Sequence, residues 1–306
     1  MYLATSGLPT ATLADAIRPL ILLLLLCSAA SAQDEKIRLW LRGDDFGYTH
    51  ASNMAMEKAF EEGFMSSASL LVPGPWFSES AAMAVAHPDW NVGVHLTITS
   101  EWNVLRWRPV SPISAVPSLV AADGHLYTSG YRPGPADPAG LRATHMPNLA
   151  EVEREFRAQT PRARSSGLEI QYVDCHMGMA CREDMLPITR KIAADNCVPI
   201  AGRQTFPEMQ NFGLNWDQRT PAEGHRLLEA ELRKLTPGLW MYVAHPAADT
   251  PELRAVDTNS GERWARQRSS VLALWTDPQI RQLIDELGIE LVGPRDLFDY
   301  QTCAPK

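Results

Sequence analysis

The sequence predicts one α/β domain built on a parallel sheet, and three observations carry that reading. Short apolar runs alternate with helical patterns along most of the chain. The runs are apolar at successive positions, as strands buried on both faces are. From Gln33 onward the chain is long enough to bury a large core, and 45% apolar with 21% charged residues is a globular balance.

The elements follow in order. Lys36-Ile37-Arg38-Leu39-Trp40-Leu41 is a strand. It opens into Arg42-Gly43-Asp44-Asp45-Phe46-Gly47, with paired carboxylates at a strand end. Residues 53–63 have helical spacing and Gly63 as the stop. Residues 68–72 are a strand halted by Pro73-Gly74-Pro75; 79–86 are a helix, ended by Pro88; 91–98 are the third strand. From 101 to 146 the rhythm breaks into a loop with six prolines, Trp102 and Trp107, which reads as a lid or substrate wall with tryptophans suited to stacking on a sugar. A capping box of Asn148 and Glu151 starts a helix that runs to about Gly167. Residues 170–176 form a strand, 183–196 a helix, and 198–201 a short strand leading to Gly202-Arg203. Thr220-Pro221-Ala222-Glu223 starts a helix with Leu228, Leu232 and Leu235 as its buried stripe. Residues 239–246 are a strand, 261–275 and 278–287 are helices, and 289–292 are the last strand. The count is about seven strands.

Residues 1–32 read as a secretory signal peptide. Arg18 precedes an apolar run, and Ala30-Ser31-Ala32 is a small-residue cleavage site. The run is short of a membrane span, so a signal anchor is the lesser alternative. An exported protein, periplasmic or secreted and cut near Ala32, is the expectation. The net charge of −8 leaves no basic stripe for nucleic acid. Cys175, Cys181, Cys197 and Cys303 remain after cleavage; an oxidising compartment permits disulfides, and the spacing selects no pairing. Nothing in the pattern fixes an oligomeric state.

His95, His176 and His245 stand at the C-terminal ends of predicted parallel strands, as do Asp44 and Asp45. In a barrel those ends converge on one face. Three imidazoles with two carboxylates have the composition of a hydrolytic metal site. His50, His87, His125, His145 and His225 fall in loops or on helix faces and carry no assigned role, beyond a rim position open to His50.

The sequence resembles the YdjC-like carbohydrate deacetylases. The resemblance runs from about Ile37 to Phe298. It is carried by Asp44-Asp45-Phe46-Gly47, by Ser66-Ser67-Ala68-Ser69-Leu70-Leu71-Val72, and by Gly93-Val94-His95-Leu96-Thr97. Asp174-Cys175-His176, Ala244-His245-Pro246 and Leu287-Gly288-Ile289-Glu290-Leu291-Val292 continue it. The resemblance implies an irregular (β/α) barrel with fewer than eight units, and a divalent ion held by Asp45, His95 and His176. It implies Asp44 as the base that takes a proton from water, and His245 as the acid that serves the departing amine or as a histidine facing the substrate. Arg203 would bind the sugar or orient Asp44. Zinc suits two imidazoles and a carboxylate, as do cobalt, nickel and magnesium. One departure stands out: Met177-Gly178-Met179-Ala180 follows His176 where many members carry further histidines. Cys175 should face away from His176 on a strand, toward the core or a disulfide.

The expected function is metal-dependent removal of acetyl groups from an N-acetylated mono- or oligosaccharide. A metal-free glycosidase would need two separated carboxylates, with Glu208 and Asp249 as the only partners in reach. A non-catalytic carbohydrate-binding barrel is the other alternative.

Overall fold

The structure is a computed structural model that describes residues 36–128, 131, 140–214 and 221–306. The leader at 1–32, Pro133, Pro135 and Pro138 of the long loop, and the helix cap Thr220 lie outside the described residues.

Seven strands make one parallel sheet: β1 (Ile37–Phe46), β2 (Ser67–Leu70), β3 (Val92–Leu96), β4 (Val173–Cys175), β5 (Gln210–Phe212), β6 (Gly238–Ala244) and β7 (Glu290–Val292). The order is β4-β3-β2-β1-β6-β5, with β7 also on β1. The sheet curls into an irregular half-barrel. At 10 residues, β1 is long enough to take two partners on one side. β7 pairs along Arg38, Leu39 and Trp40, and β2 along Arg42, Gly43 and Phe46. Because every pairing is parallel, the C-terminal ends of β1, β3, β4 and β6 emerge on one face.

Helices α1 (His50–Glu61), α2 (Phe77–Ala86), α3 (Leu149–Ser165), α4 (Leu186–Asn196), α5 (Pro221–Leu232), α6 (Pro251–Arg254), α7 (Gly261–Trp275), α8 (Pro278–Glu286) and α9 (Pro294–Leu297) fill the connections. The core holds Trp40 edge-on to Tyr172 and Phe206. No helix among the described residues is long and apolar enough to cross a membrane.

Three expectations change. The predicted strand at 198–201 is a single parallel bridge from Ile200 to Val173. Pro199 cannot donate, and the chain turns at once. The edge strand of the sheet is instead Gln210–Phe212, whose polar residues hid it. The capping box also fails. Asn148 Oδ1 accepts from the Ala150 N–H, but Glu151 accepts from Ser118 N at 2.7 Å. Finally, Trp102 and Trp107 are 3% and 2% exposed, so they are core residues and not a stacking wall. The loop that carries them is drawn onto α3, where Glu155 accepts from the N–H groups of Val110 and Ser111, each at 2.9 Å. The cysteines pair as Cys175–Cys181 and Cys197–Cys303.

Candidate metal and catalytic site

Successive residues of a strand face opposite sides, so Asp44 and Asp45 ought to diverge. The structure resolves this with a bulge. The β1–β2 register shifts between Gly43 and Phe46, and Asp45 takes φ of 71°, in the left-handed region that non-glycine residues avoid. Both carboxylates then share a pocket with His95. The loop behind them is pinned, because Asn53 Oδ1 accepts the Gly47 N–H at 2.8 Å and Thr49 Oγ1 caps α1.

Asp44 forms a bidentate pair with Arg42, Nε to Oδ1 at 2.7 Å and Nη2 to Oδ2 at 3.0 Å. Burial alone would raise the carboxyl pKa; the Arg42 guanidinium outweighs it, and the pKa lies below its ordinary value. Asp45 faces three imidazoles. Its Oδ1 lies 3.6 Å from His95 Nε2 and 3.4 Å from His176 Nδ1, and its Oδ2 lies 4.0 Å from His245 Nε2. Against burial, the His176 imidazole 3.4 Å away and the charge of Arg268 hold its carboxyl well below the usual range.

Asp174 is the hub behind His95. The β3–β4 register sets the two side by side. Asp174 Oδ2 accepts from His95 Nδ1 at 2.9 Å and Ser69 Oγ at 3.1 Å, and forms an ion pair with Arg42 Nη2 at 3.0 Å. Since a carboxylate only accepts, Nδ1 carries a proton and Nε2 is the nitrogen turned toward Asp45. Burial disfavours charge on His95, yet Asp174 and then Asp44 outweigh it and push the imidazole up to about 9. His176 is pushed down by burial, against the pull of Asp45.

The donor set fits a divalent cation. Ligating atoms of Asp45, His95 and His176 lie within 4.8 Å of one another, all three residues are buried, and Asp45 Oδ1, which faces both imidazoles, has no hydrogen-bond partner. Among the described residues, the buried carboxylates of Asp44, Asp45 and Asp174 pair with two buried guanidiniums, Arg42 and Arg268.

Sequence reasoning missed four residues here. Arg42 and Asp174 lay inside motifs already singled out. Arg268, on α7, donates Nη1 and Nη2 to Asp45 Oδ2 at 3.0 and 3.1 Å, and its guanidinium lies over Tyr48 and Trp102. An arginine between Trp264, Val271 and Trp275 at helical spacing was its only signal. Glu101 lies 3.5 Å from Arg268; burial first, then Asp45, push its carboxyl up to about 8 against that guanidinium.

His245 is 44% exposed at the rim. Partial desolvation pushes its imidazole down to about 4, Arg268 adds to the shift, and Asp45 and Asp44 oppose it. The resting histidine is therefore neutral near pH 7, not charged. Beside it opens a cleft of ≈ 300 Å³ lined by Glu101, Leu214, Trp264, Gln267 and Arg268. Arg203 does not join this group among the described contacts. It is exposed, its Nε donates to the Met209 carbonyl, and the guanidinium that orients Asp44 is Arg42. Asp249, weighed as a glycosidase carboxylate, is paired to Arg254.

Residues 38–286 match the family model described as YdjC-like protein. The chain belongs to the YdjC-like family. It is 27% identical over 267 residues to the carbohydrate deacetylase of Brevibacillus brevis, covering 84% of this chain and 98% of that one. It is 28% identical over 271 residues to the carbohydrate deacetylase of Thermus thermophilus, covering 81% of this chain and 89% of that one. Its fold is similar to a solved structure from Enterococcus faecalis V583, named as a candidate cellobiose-phosphate cleavage protein. That match has TM-score 0.66 and 22% identity, covering 85% of this chain and 98% of that one.

Proposed function

We propose that this YdjC-like protein hydrolyses the acetamide of an N-acetylated sugar with the help of a divalent ion. The observation that carries this reading is the convergence of Asp45, His95 and His176 beside an Arg42-bound Asp44 at one end of the sheet. The relatives named as carbohydrate deacetylases support the substrate class.

Asp45, His95 and His176 would hold the ion, which supplies a Lewis acid for the amide carbonyl and makes water easier to deprotonate. Asp44, ionised and clamped by Arg42, is the acceptor for the proton of the attacking water. His245 stands at the rim, where the cleft begins. Neutral at rest, it must collect a proton before it can pass one to the departing nitrogen. Arg268 holds Asp45 in place and offers the cleft a cationic wall. Acetate and a free amino sugar are the products. Zinc is the ion that best suits two imidazoles and a carboxylate. The leader-like segment at 1–32 and the two disulfides support export to an oxidising compartment.

Metal content of the purified protein, set beside that of His176→Ala, and acetate release from N-acetylated chito-oligosaccharides are the test. A divalent ion lost in the variant, with release that stops in Asp44→Asn, supports the reading. Sugar binding without turnover in any metal would leave a binding barrel, and shorter saccharides formed without metal or acetate release would point to a glycosidase-type site.

A further inference from the structure

Two of the three candidate ligands are oriented by side chains. Asp174 takes the Nδ1–H of His95, and Arg268 fixes Asp45. Metal-binding imidazoles almost always have such a partner on the far nitrogen. His176 is the exception: its Nδ1 faces Asp45 Oδ1 at 3.4 Å, and its Nε2 is buried without a hydrogen-bond partner. Apart from Asp45, the described contacts to it are ring packing, edge-on from His95 at 5.0 Å and from Trp107 at 5.8 Å. Its position therefore depends on its backbone.

That backbone is an unusual turn. The chain leaves β4 at Cys175 and passes through Met177 at φ 49° and Gly178 at φ 69°. It returns to Cys181, whose sulfur is bonded to Cys175 across a separation of 6 residues. A non-glycine residue in the left-handed region persists only where its surroundings over-determine it. The far end of the turn is anchored by Thr189 Oγ1 on the Ala180 carbonyl at 2.6 Å. The near end, beside His176, is anchored by the disulfide.

We propose that the Cys175–Cys181 disulfide is the positioning element for His176, doing for this ligand what Asp174 does for His95. This rests on the reading of Asp45, His95 and His176 as a metal site. Opening the bond frees the turn at the residue that precedes the ligand, so ion affinity depends on the oxidation state of this one pair. The second disulfide, Cys197–Cys303, spans 106 residues and joins the end of α4 to the C-terminal segment, so it serves the fold as a whole.

The test is cobalt(II) binding, read by affinity and by the visible ligand-field spectrum. It compares the wild type, Cys175→Ser/Cys181→Ser and Cys197→Ser/Cys303→Ser, each checked for fold by circular dichroism. The expected result is a 10–100-fold loss of affinity and a changed spectrum in the first pair variant, with wild-type affinity and spectrum in the second. Equal affinity and spectrum in all three overturns the proposal and leaves the metal site standing. A wild type that binds no ion overturns both. Should the first variant fail to fold, wild-type protein titrated with graded phosphine reductant gives the same readout. Affinity must then fall with opening of Cys175–Cys181, followed by mass spectrometry, and a constant affinity overturns the proposal.

Discussion

Asp174→Asn tests how the site is built. The variant keeps the shape of the residue and removes its charge. Two contacts to Oδ2 depend on that charge in the wild type, the hydrogen bond from His95 and the ion pair with Arg42. Such bonds contribute about 1.5–3 kcal/mol against about 0.5–1.5 kcal/mol for neutral ones, so each loses roughly 1 kcal/mol. Only the His95 contact orients a candidate ligand, and its share of roughly 1 kcal/mol corresponds to about 5-fold weaker ion binding, at 1.4 kcal/mol per decade. The sign with pH is informative. Wild-type His95, with its imidazole pushed up to about 9, must shed a proton to bind the ion at pH 7.5. The variant has lost the largest support for that proton, so part of its deficit is hidden there. Competition against a chromophoric chelator should show the deficit in full only above about pH 9. Equal affinities at both pH values, in a folded variant, would refute the role of Asp174 as the group that fixes the His95 tautomer.

Three further outcomes are expected. Glu101→Gln should flatten the pH dependence of stability in metal-free protein. A carboxyl raised from 4.5 to about 8 stabilises the fold below its unfolded pKa, and that contribution is lost as pH rises to 8; thermal melts at pH 5 and 8.5 in chelator read it. Arg268→Met leaves the buried Asp45 carboxylate without its cation and should cost about 3–5 kcal/mol in denaturant unfolding. Added zinc should recover part of that loss, since the ion replaces the missing charge. Gly93→Ala should cost about 1–3 kcal/mol by overpacking, because a Cβ there would lie 2.4 Å from the ring of Tyr172, whose hydroxyl bonds Ser69 behind Asp174.

The parts of the site that were legible in the sequence are those set by strand ends. Asp44, Asp45, His95, His176 and His245 stand where parallel strands terminate, and parallel pairing brings such ends together whatever the loops do. What could not be read is the choice of counter-charge. Arg42 stands two residues from Asp44, yet Arg203 was the arginine assigned to bind the sugar or orient Asp44, because a strand places positions 42 and 44 on one face without saying that a salt bridge closes between them. Arg268 reaches Asp45 from 223 residues away, a contact decided only by how α7 packs. The bulge at Asp45 was invisible for the same reason: a two-residue period predicts diverging carboxylates, and only the shifted β1–β2 register turns them together. The tryptophans failed differently. Their proline-rich surroundings read as surface, but Glu155, fully buried on α3, draws that loop inward and takes Trp102 and Trp107 into the core.

The charge distribution leads to one more consequence. Burial normally drives proton affinity of a histidine down, but His95 rises to about 9, and Glu101 holds its proton up to about 8. The His95 shift answers the carboxylates of Asp174 and Asp44, whereas burial is the main cause at Glu101, with Asp45 adding to it. A proton and a divalent ion thus compete for one electrostatic role, and ion binding must expel the proton from His95. At pH 7.5 nearly one proton per bound ion should leave that residue, and the number should fall through half near pH 9. Calorimetric titration with zinc in buffers of different ionisation enthalpy measures it directly. His95→Gln should remove this release along with most of the affinity. Release that stays constant from pH 7 to 10 in the wild type would mean that the ion does not take the His95 lone pair, and the ligand set drawn from Asp45, His95 and His176 would be wrong.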